Sequence, residues 1–359
     1  MKKLILGMLL TASALQVAFA QEQSVPELEY RPGQVSVVPG VGTNGAMGDR
    51  YYSAFSFNLL GGRNGGVSGF ELGSLFNIDK SFMCGAQVAG ITNLVGGPVK
   101  GLQLGGILNT AGESVTGAQI AGIVSATKGN ARGLQLSGIA SLARDGVDGV
   151  QTSGIVNLAG GKSKGLQLGT VNIAKNIQGL QVGVVNIADS VGGGTLGLIN
   201  IVRKNGYYRG EVWAGETLYG NAAFKMGTRK LYTILALGWR PKEDDYYLAY
   251  GLGLGTILGN IAGADVNLDL LTYNIAKNQI WTDGSTNQMH QVRLVGAREL
   301  GGRTAVLLGA TFNVMHSNYP PTAEATGRGM DIAPWNLYNK VHRNTRVILW
   351  PGLNLGLRF

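Results

Sequence analysis

One short unit is written nine times in succession between Gly69 and about Arg203, and this repeat limits the fold more than any other feature of the chain. Each unit begins with a glycine. The first seven units start sixteen residues apart, and the last two follow at intervals of fourteen. The starting glycines are Gly69, Gly85, Gly101, Gly117, Gly133, Gly149, Gly165, Gly179 and Gly193. A unit this short cannot hold a pair of helices, so each one is predicted to be a small β element with a turn.

The unit reads roughly Gly-Leu-Gln-Leu-x-Gly-Ile-x-Asn-x-Ala and ends in a polar tail of a few residues. Within the units, Glu71 is the one charged residue among the first ten positions, and the other charged residues fall in the tails. Glutamine fills the third position at Gln87, Gln103, Gln119, Gln135, Gln151, Gln167 and Gln181. Asparagine marks the second half at Asn77, Asn93, Asn109, Asn157, Asn172, Asn186 and Asn200.

The recurrence of one amide at one position indicates how the units stack. In the parallel coils of a β-solenoid, equivalent residues lie directly above one another, and buried amides can form ladders along the stack. In an antiparallel meander, equivalent residues would sit at alternating heights. The pattern therefore favours a solenoid over residues 69–206, with the glutamines and asparagines as structural ladder residues. The alternative is that the repeats are antiparallel strands of a wide barrel.

The first twenty residues have the three parts of a secretory signal peptide. Lys2 and Lys3 precede an apolar run that starts at Leu4, and the segment ends in Ala18-Phe19-Ala20. We therefore expect cleavage near Ala20. Residues 21–33 are polar and contain two prolines, which predicts an unstructured leader.

Composition narrows the class of protein further. Glycine occurs 58 times and long helix-forming stretches are few, which indicates an all-β chain. The net charge of +9 is dispersed, without a basic cluster interleaved with aromatic residues, so no nucleic-acid partner is expected. Cys84 is the single cysteine, so a disulfide framework is excluded and a small buried residue is expected there. No cofactor or metal is predicted.

After residue 206 the pattern changes to long segments of period-two alternation. From Tyr246 to Leu254, large apolar residues alternate with glycine and alanine, which is typical of a strand with one bulky face. Eight such strands are predicted over 207–359, and two more over 34–60 are predicted to join them. Long strands with an apolar outer face are typical of a transmembrane β-barrel. The aromatic residues expected at strand ends are Tyr207, Tyr208, Trp213, Trp239, Tyr246 and Trp350.

These features together resemble a Gram-negative outer-membrane β-barrel protein. The resemblance rests on the signal peptide, the amphipathic strands and the ending Leu357-Arg358-Phe359, and Phe359 resembles the signal read by the barrel-assembly machinery. It implies an outer-membrane location, with membrane lipid and that machinery as partners. The block Gly-Leu-Gln-Leu-Gly-Thr-Val-Asn-Ile-Ala at 165–174 resembles the short "surface repeat" families of bacterial envelope proteins. That likeness covers about a third of the chain and implies a location, not an activity.

The same part of the repeat is similar to curli-type amyloid units, which are longer. Gln167, Gly169, Asn172, Ala174 and Gln178 fit the pattern Gln-x-Gly-x-x-Asn-x-Ala-x3-Gln. The similarity implies stacked glutamine and asparagine, without implying a fibre.

Few residues suggest catalysis. His316 and Ser317 resemble the His/Ser pairs of barrel lipases, but adjacent strand residues point to opposite faces. Six charged residues are candidates to line a barrel lumen: Glu211, Glu216, Asp265, Asp269, Arg293 and Glu299. The sequence therefore predicts a non-enzymatic outer-membrane or cell-surface protein with a structural or surface-contact role and an unidentified surface ligand. The alternatives are a wide barrel pore and a barrel lipid hydrolase that uses His316.

Overall fold

A computed structural model describes residues 28–243, 245–280, 286–302, 304–318, 330, 332–343 and 345–359. The predicted signal peptide, with its cleavage site, lies outside these residues, as do leader residues 21–27.

The described chain is almost entirely β-structure and forms two hydrogen-bonded sheets. A short 3-10 helix covers Gly45–Arg50. In the described part of the chain, no helix combines the length and the apolar composition needed to cross a membrane.

The first sheet contains eighteen strands. They are β1 (Glu29–Val38), β2 (Val41–Gly42), β3 (Tyr51–Asn58), β4 (Gly61–Gly73), β5 (Phe76–Ala89), β6 (Thr92–Val95), β7 (Val99–Gly105), β8 (Leu108–Ala111), β9 (Val115–Ala121), β10 (Val124–Thr127), β11 (Asn130–Ser137), β12 (Ala140–Ala143), β13 (Gly146–Ser153), β14 (Val156–Leu168), β15 (Val171–Val182), β16 (Val185–Val191), β17 (Gly194–Leu196) and β18 (Ile199–Val202).

The repeats form a β-solenoid of about nine turns, which confirms the favoured prediction. Neighbouring units pair in parallel with equivalent residues opposite each other, as β7 pairs with β9 through Gly101↔Gly117 and Gln103↔Gln119. A middle coil contributes one strand from each half of its unit, and each strand pairs with its counterpart one unit earlier and one unit later. The antiparallel pairing that a wide barrel requires is not found among these repeats.

The glycine that starts each unit is required by the close stacking of coils. Gly117 has a φ of +129°, and a Cβ there would lie 2.1 Å from the carbonyl oxygen of Gly101 in the preceding coil. A Cβ on Gly101 would likewise lie 2.0 Å from the Gly85 oxygen. Because only glycine tolerates both this backbone and this contact, its period sets the coil length.

The strands predicted within residues 34–60 do not join the C-terminal sheet. Instead, β1 and β3 pair in parallel with each other, and β3 pairs in parallel with β4, so they begin the solenoid. The reason is that β3 has the polarity of a repeat: Ser53, Ser56 and Asn58 are buried, whereas Phe55 and Phe57 are exposed. Strand β1 also includes residues 29–33, which were predicted to be an unstructured leader.

The second sheet contains nine strands and is antiparallel. They are β19 (Tyr207–Gly215), β20 (Gly220–Gly227), β21 (Tyr232–Lys242), β22 (Asp245–Ile261), β23 (Ala264–Lys277), β24 (Asn287–Gly301), β25 (Thr304–Ser317), β26 (Tyr338–His342) and β27 (Thr345–Arg358).

Each strand from β19 to β24 pairs with the next, and β25 pairs with β27. Strand β27 also pairs with β19, through Glu211↔Arg358 to Gly215↔Asn354, so the pairing order returns to its first strand. The antiparallel strands predicted after residue 207 are confirmed. The extra strand, β26, forms a hairpin with β27.

The stacking predicts that whole coils can be removed. Deleting residues 117–132 brings Gln103 opposite Gln135 and leaves the register intact, so we expect a folded protein with a β-type circular dichroism spectrum and a cooperative thermal transition. Deleting only 117–124 places unlike residues opposite each other. That variant should lose the transition, and a folded half-unit deletion would contradict the stacking argument.

Candidate functional site

The predicted glutamines form one continuous row through the interior of the solenoid. In each link, the side-chain Nε2 donates to the Oε1 of the glutamine one coil earlier, at 2.8 to 3.0 Å. All of these glutamines are at least 99% buried. Gln151 Nε2 also donates to the backbone oxygens of Ser141 and Leu158, at 2.9 and 3.2 Å, which fixes the orientation of its amide.

The predicted asparagines form a second row that runs beside the first in two segments. Asn58, Asn77, Asn93 and Asn109 make one segment, and Asn157, Asn172, Asn186 and Asn200 make the other. Ser125 and Ser141 separate them. Here each Nδ2 donates to the asparagine one coil later, at 2.8 to 2.9 Å, opposite to the direction in the glutamine row. The two rows of amide dipoles therefore oppose each other.

A buried pair of acids ends the glutamine row at the N-terminal side of the solenoid. Gln87 Nε2 donates to Glu71 Oε2 at 2.7 Å and to Asp79 Oδ2 at 2.8 Å. Burial, and then the charge of Glu71, raise the pKa of Asp79 well above its ordinary value, and burial raises the pKa of Glu71. The repeat pattern places Asp79 in a solvated tail, but the structure buries it.

The opposite end of the solenoid joins the antiparallel sheet through polar contacts. Asn200 Nδ2 donates to Thr233 Oγ1 at 2.9 Å, and Thr233 Oγ1 donates to the Gly197 oxygen at 2.7 Å. Lys230 Nζ donates to the Gly192 oxygen at 2.8 Å. The last coil is therefore attached to strands β20 and β21 and the turn between them.

The inner face of the antiparallel sheet holds a cluster of five charged side chains. Glu211 lies 2.9 Å from Lys225, 2.9 Å from Arg293 and 2.7 Å from Arg358. Asp269 lies 2.7 Å from Lys225 and 3.4 Å from Arg293. All five are at least 95% buried. Buried charges this close are tolerated because each finds a partner of opposite sign.

Of the six charged residues predicted to line a lumen, three are in this cluster: Glu211, Asp269 and Arg293. Asp265 instead pairs with Arg229 at the surface, at 2.8 Å, and Glu299 is exposed. Glu216 is half-buried and accepts a hydrogen bond from Asn313 Nδ2 at 3.2 Å. The sequence reasoning missed Lys225 and Arg358. Lys225 lies between Phe224 and Met226, and Arg358 lies between Leu357 and Phe359. A charged residue between two apolar ones in a strand is the sequence signal that could have identified both.

The outer face of the same sheet is apolar and exposed. Large aliphatic and aromatic side chains here expose 37 to 68% of their surface: Val212, Phe224, Leu237, Leu252, Leu254, Leu270, Val292, Leu294, Leu308, Phe312, Leu353, Leu355, Leu357 and Phe359. Phe359 pairs with Gly210, and its N–H donates to the Gly210 oxygen at 2.8 Å.

Three of the six aromatic residues predicted at strand ends have buried side chains. Tyr207, Trp213 and Trp350 are at least 95% buried. The indole of Trp213 stacks 4.0 Å below the Arg293 guanidinium, and Trp350 Nε1 donates to Thr217 Oγ1 at 2.9 Å, so the polar groups of the inner face hold them there. Trp239 and Tyr246 are exposed.

The two residues considered for catalysis point to opposite faces of β25. Ser317 is buried and donates to Asn287 Oδ1 at 2.6 Å, whereas His316 lies on the outer face beside His290. Because the two side chains lie on opposite faces, they cannot form a dyad. Among the described residues, no cluster of three or more His, Cys, Asp or Glu is arranged to hold a metal ion.

A large apolar cleft of about 1950 Å³ lies where the solenoid and the antiparallel sheet face each other. Leu168, Val184 and Leu198 line it from the solenoid, and Leu237, Leu252 and Phe312 are among those that line it from the outer face of the sheet.

No protein-family model matches this chain, and neither a curated protein nor a solved structure matches it. Function must therefore be argued from the geometry alone.

Breaking the glutamine row should be costly. Gln135→Leu leaves Gln119 Oε1 without its donor and removes one acceptor of Gln151 Nε2, and both atoms are buried. We expect the free energy of unfolding to fall by about 2–5 kcal/mol in chemical denaturation. Ser125→Ala is the matched control, because the Ser125 hydroxyl makes a single 3.3 Å bond to the Leu136 oxygen, and its loss should cost about 1 kcal/mol or less. Equal losses in the two variants would contradict a role for the row.

The acid pair predicts a pH dependence with a definite sign. Folding raises the pKa of Asp79 above its ordinary value of 3.8, so the unfolded chain ionises first as pH rises. Ionisation above that pH therefore favours the unfolded state and lowers the stability of the folded state. Asp79→Asn keeps an acceptor for Gln87 and removes one ionisation. Its unfolding temperature should exceed that of the parent at pH 8, and the difference should shrink toward pH 4. A difference that is constant over this range would refute the assignment.

Proposed function

We propose that this chain is a non-enzymatic protein of the Gram-negative outer membrane. In this proposal, strands β19–β25 and β27 close into a small transmembrane barrel, and the solenoid has a structural or surface-contact role. The observation that supports it most is the polarity of the antiparallel sheet, which buries a cluster of five charged side chains among the aromatic and aliphatic residues of its inner face and exposes large apolar side chains on its outer face. In water this arrangement exposes the groups that should be buried. In lipid it is favourable.

The strand pairing supports closure into a barrel. A sheet inside a membrane must leave no unpaired edge, because lipid offers no hydrogen bonds to free N–H and C=O groups. Strand β19 has β20 on one side and β27 on the other, so neither of its edges is free over the paired residues. Eight strands in the cycle agree with the even number found in bacterial single-chain barrels.

The packing of the inner face favours an anchor over a pore. Trp350, Arg293, Tyr232 and Tyr273 are essentially without exposed surface. Eight strands enclose a space that side chains can fill. We therefore expect little conductance in planar bilayers. The pore hypothesis also requires antiparallel pairing between neighbouring repeats. The lipid-hydrolase hypothesis finds no dyad at His316.

The proposed partners follow from the same surfaces. Membrane lipid would contact the outer face, and the barrel-assembly machinery would recognise the final strand ending in Phe359, whose side chain is half exposed. A surface ligand for the solenoid stays unidentified.

The proposal predicts that the first and last strands can be cross-linked. Val212 and Leu357 are register partners on the outer face of β19 and β27. In a Cys84→Ser background, the pair Val212→Cys and Leu357→Cys should be joined by a short bifunctional thiol reagent in isolated cell envelopes. The protein should also stay in the membrane pellet after alkaline carbonate and show slower migration in gels after boiling.

The matched control pair is Val212→Cys with Leu252→Cys, which lie on strands that are not neighbours in the sheet. Equal cross-linking of the two pairs, or release of the chain by carbonate, would overturn the barrel anchor.

A further inference from the structure

The solenoid, like the antiparallel sheet, buries rows or clusters of polar side chains beside smaller apolar ones, and it exposes large aliphatic side chains. Its glutamines and asparagines point inward, and the residues that alternate with them point outward. At the turn between the two strands of a coil, large aliphatic residues form a column, here named the aliphatic column, in which each member exposes 38 to 50% of its surface. Its members are Leu75, Ile91, Ile107, Ile123, Ile139, Ile155, Val184 and Leu198.

The column is continuous because consecutive coils are hydrogen-bonded at this turn. The N–H of Ile107 donates to the Ile91 oxygen at 2.8 Å, and the N–H of Ile123 donates to the Ile107 oxygen at 3.1 Å. Thr170 takes this place in one coil. At about 4.8 Å per coil, the column extends over roughly 35–40 Å.

The outward positions of the strands that flank this turn are also aliphatic. Leu72, Leu136 and Leu168 are exposed on one strand, and Leu158 and Ile201 on the other. Exposed apolar surface of this extent is rare on proteins that face only water, and it marks a contact with another apolar phase.

The charged tails lie at a different edge of each coil, here named the tail edge. Lys100, Arg132, Lys162 and Lys164 are exposed there, with Asp148 among a smaller number of acids. Cys84 belongs to this edge and is exposed, contrary to the buried position expected from the sequence. Each coil is thus amphipathic in cross-section, with an aliphatic turn and a charged, mainly basic edge.

We propose that the solenoid lies in one leaflet of the membrane, with the aliphatic column among the acyl chains and the tail edge at the lipid head groups. This inference rests on the proposed barrel anchor and extends its lipid contact to the repeats. The occupant of the aliphatic surface is lipid, because basic residues border that surface, as phosphate-bearing head groups require, and because the surface continues into the outer face of the antiparallel sheet.

The cleft between the two parts provides that continuity. It is lined by Val184 and Leu198 of the aliphatic column and by outer-face residues such as Leu252 and Phe312. A water-filled cleft of about 1950 Å³ with such walls would be unfavourable. Acyl chains fill it without loss of hydrogen bonds.

The solenoid does not need to cross the bilayer to make this contact. An amphipathic element in the interface buries its apolar side by about 5–10 Å. Within a middle coil, the backbone is paired to the coil before and the coil after, so few free polar groups enter the apolar layer.

Single-cysteine labelling tests the inference on the full chain in phosphatidylcholine and phosphatidylglycerol vesicles. In a Cys84→Ser background, an environment-sensitive fluorophore is attached at Ile123→Cys in the column, at Arg132→Cys on the tail edge, or at Leu252→Cys on the antiparallel sheet. Nitroxide lipids labelled on the acyl chain should quench positions 123 and 252. Iodide in the water should quench position 132. Ile155→Cys serves as a second column site, with circular dichroism to verify folding of each variant.

The outcomes separate the two proposals. Acyl-chain quenching at 252 combined with iodide quenching at 123 would overturn the buried solenoid and leave the anchor standing. Quenching at 123 without quenching at 252 would support lipid contact by the column and overturn the barrel. Protection of 123 from both quenchers would mean that protein covers the column, such as a second copy of the chain, and would also overturn the inference.

Discussion

The hydrogen bonds between identical amides in successive coils are the interaction on which the rest of the structure depends. A buried amide without partners costs about 1–3 kcal/mol, so a narrow interior filled with glutamine and asparagine is tolerated only when each amide bonds to its equivalent. That condition forces parallel, in-register stacking. Special groups also accept from the terminal amides: Glu71 and Asp79 accept from the first glutamine, and Thr233 accepts from the last asparagine.

Both parts of the molecule put polar groups inside and aliphatic groups outside, although they reach this state differently. In the solenoid, the interior is neutral and its dipoles oppose each other. In the antiparallel sheet, the interior holds an ionic cluster among buried aromatic and aliphatic side chains, and Glu211 alone contacts three cations. Two unrelated interiors with the same reversed polarity are simplest to explain by a common surrounding phase, and this is the physical basis for proposing a membrane.

The repeats were predictable because their period is explicit and because glycine and glutamine each serve one geometric purpose. The antiparallel strands were predictable from alternation. Asp79 was misplaced because its position in the unit is a tail position, and only the end of the glutamine row needs a buried acceptor there. The strands β1 and β3 were assigned to the wrong sheet because their spacing is irregular, although the inward Ser56 and Asn58 follow the polarity of a repeat. The pairing of Lys225 with Asp269, 44 residues apart, depends on register across several strands, which one sequence does not reveal.

The two architectures divide the tasks that a membrane protein of this kind would need to perform. A closed sheet fixes its own strand number, because losing one strand leaves an edge unpaired in lipid. A solenoid has no such limit, since each coil contacts only its neighbours and its stability is a sum of local terms. Changes in repeat number would therefore lengthen the aliphatic column without disturbing the ionic interior of the sheet. The hydrogen bond between Asn200 and Thr233 joins the extendable solenoid to the sheet of fixed strand number, and on the solenoid side it involves only the last coil.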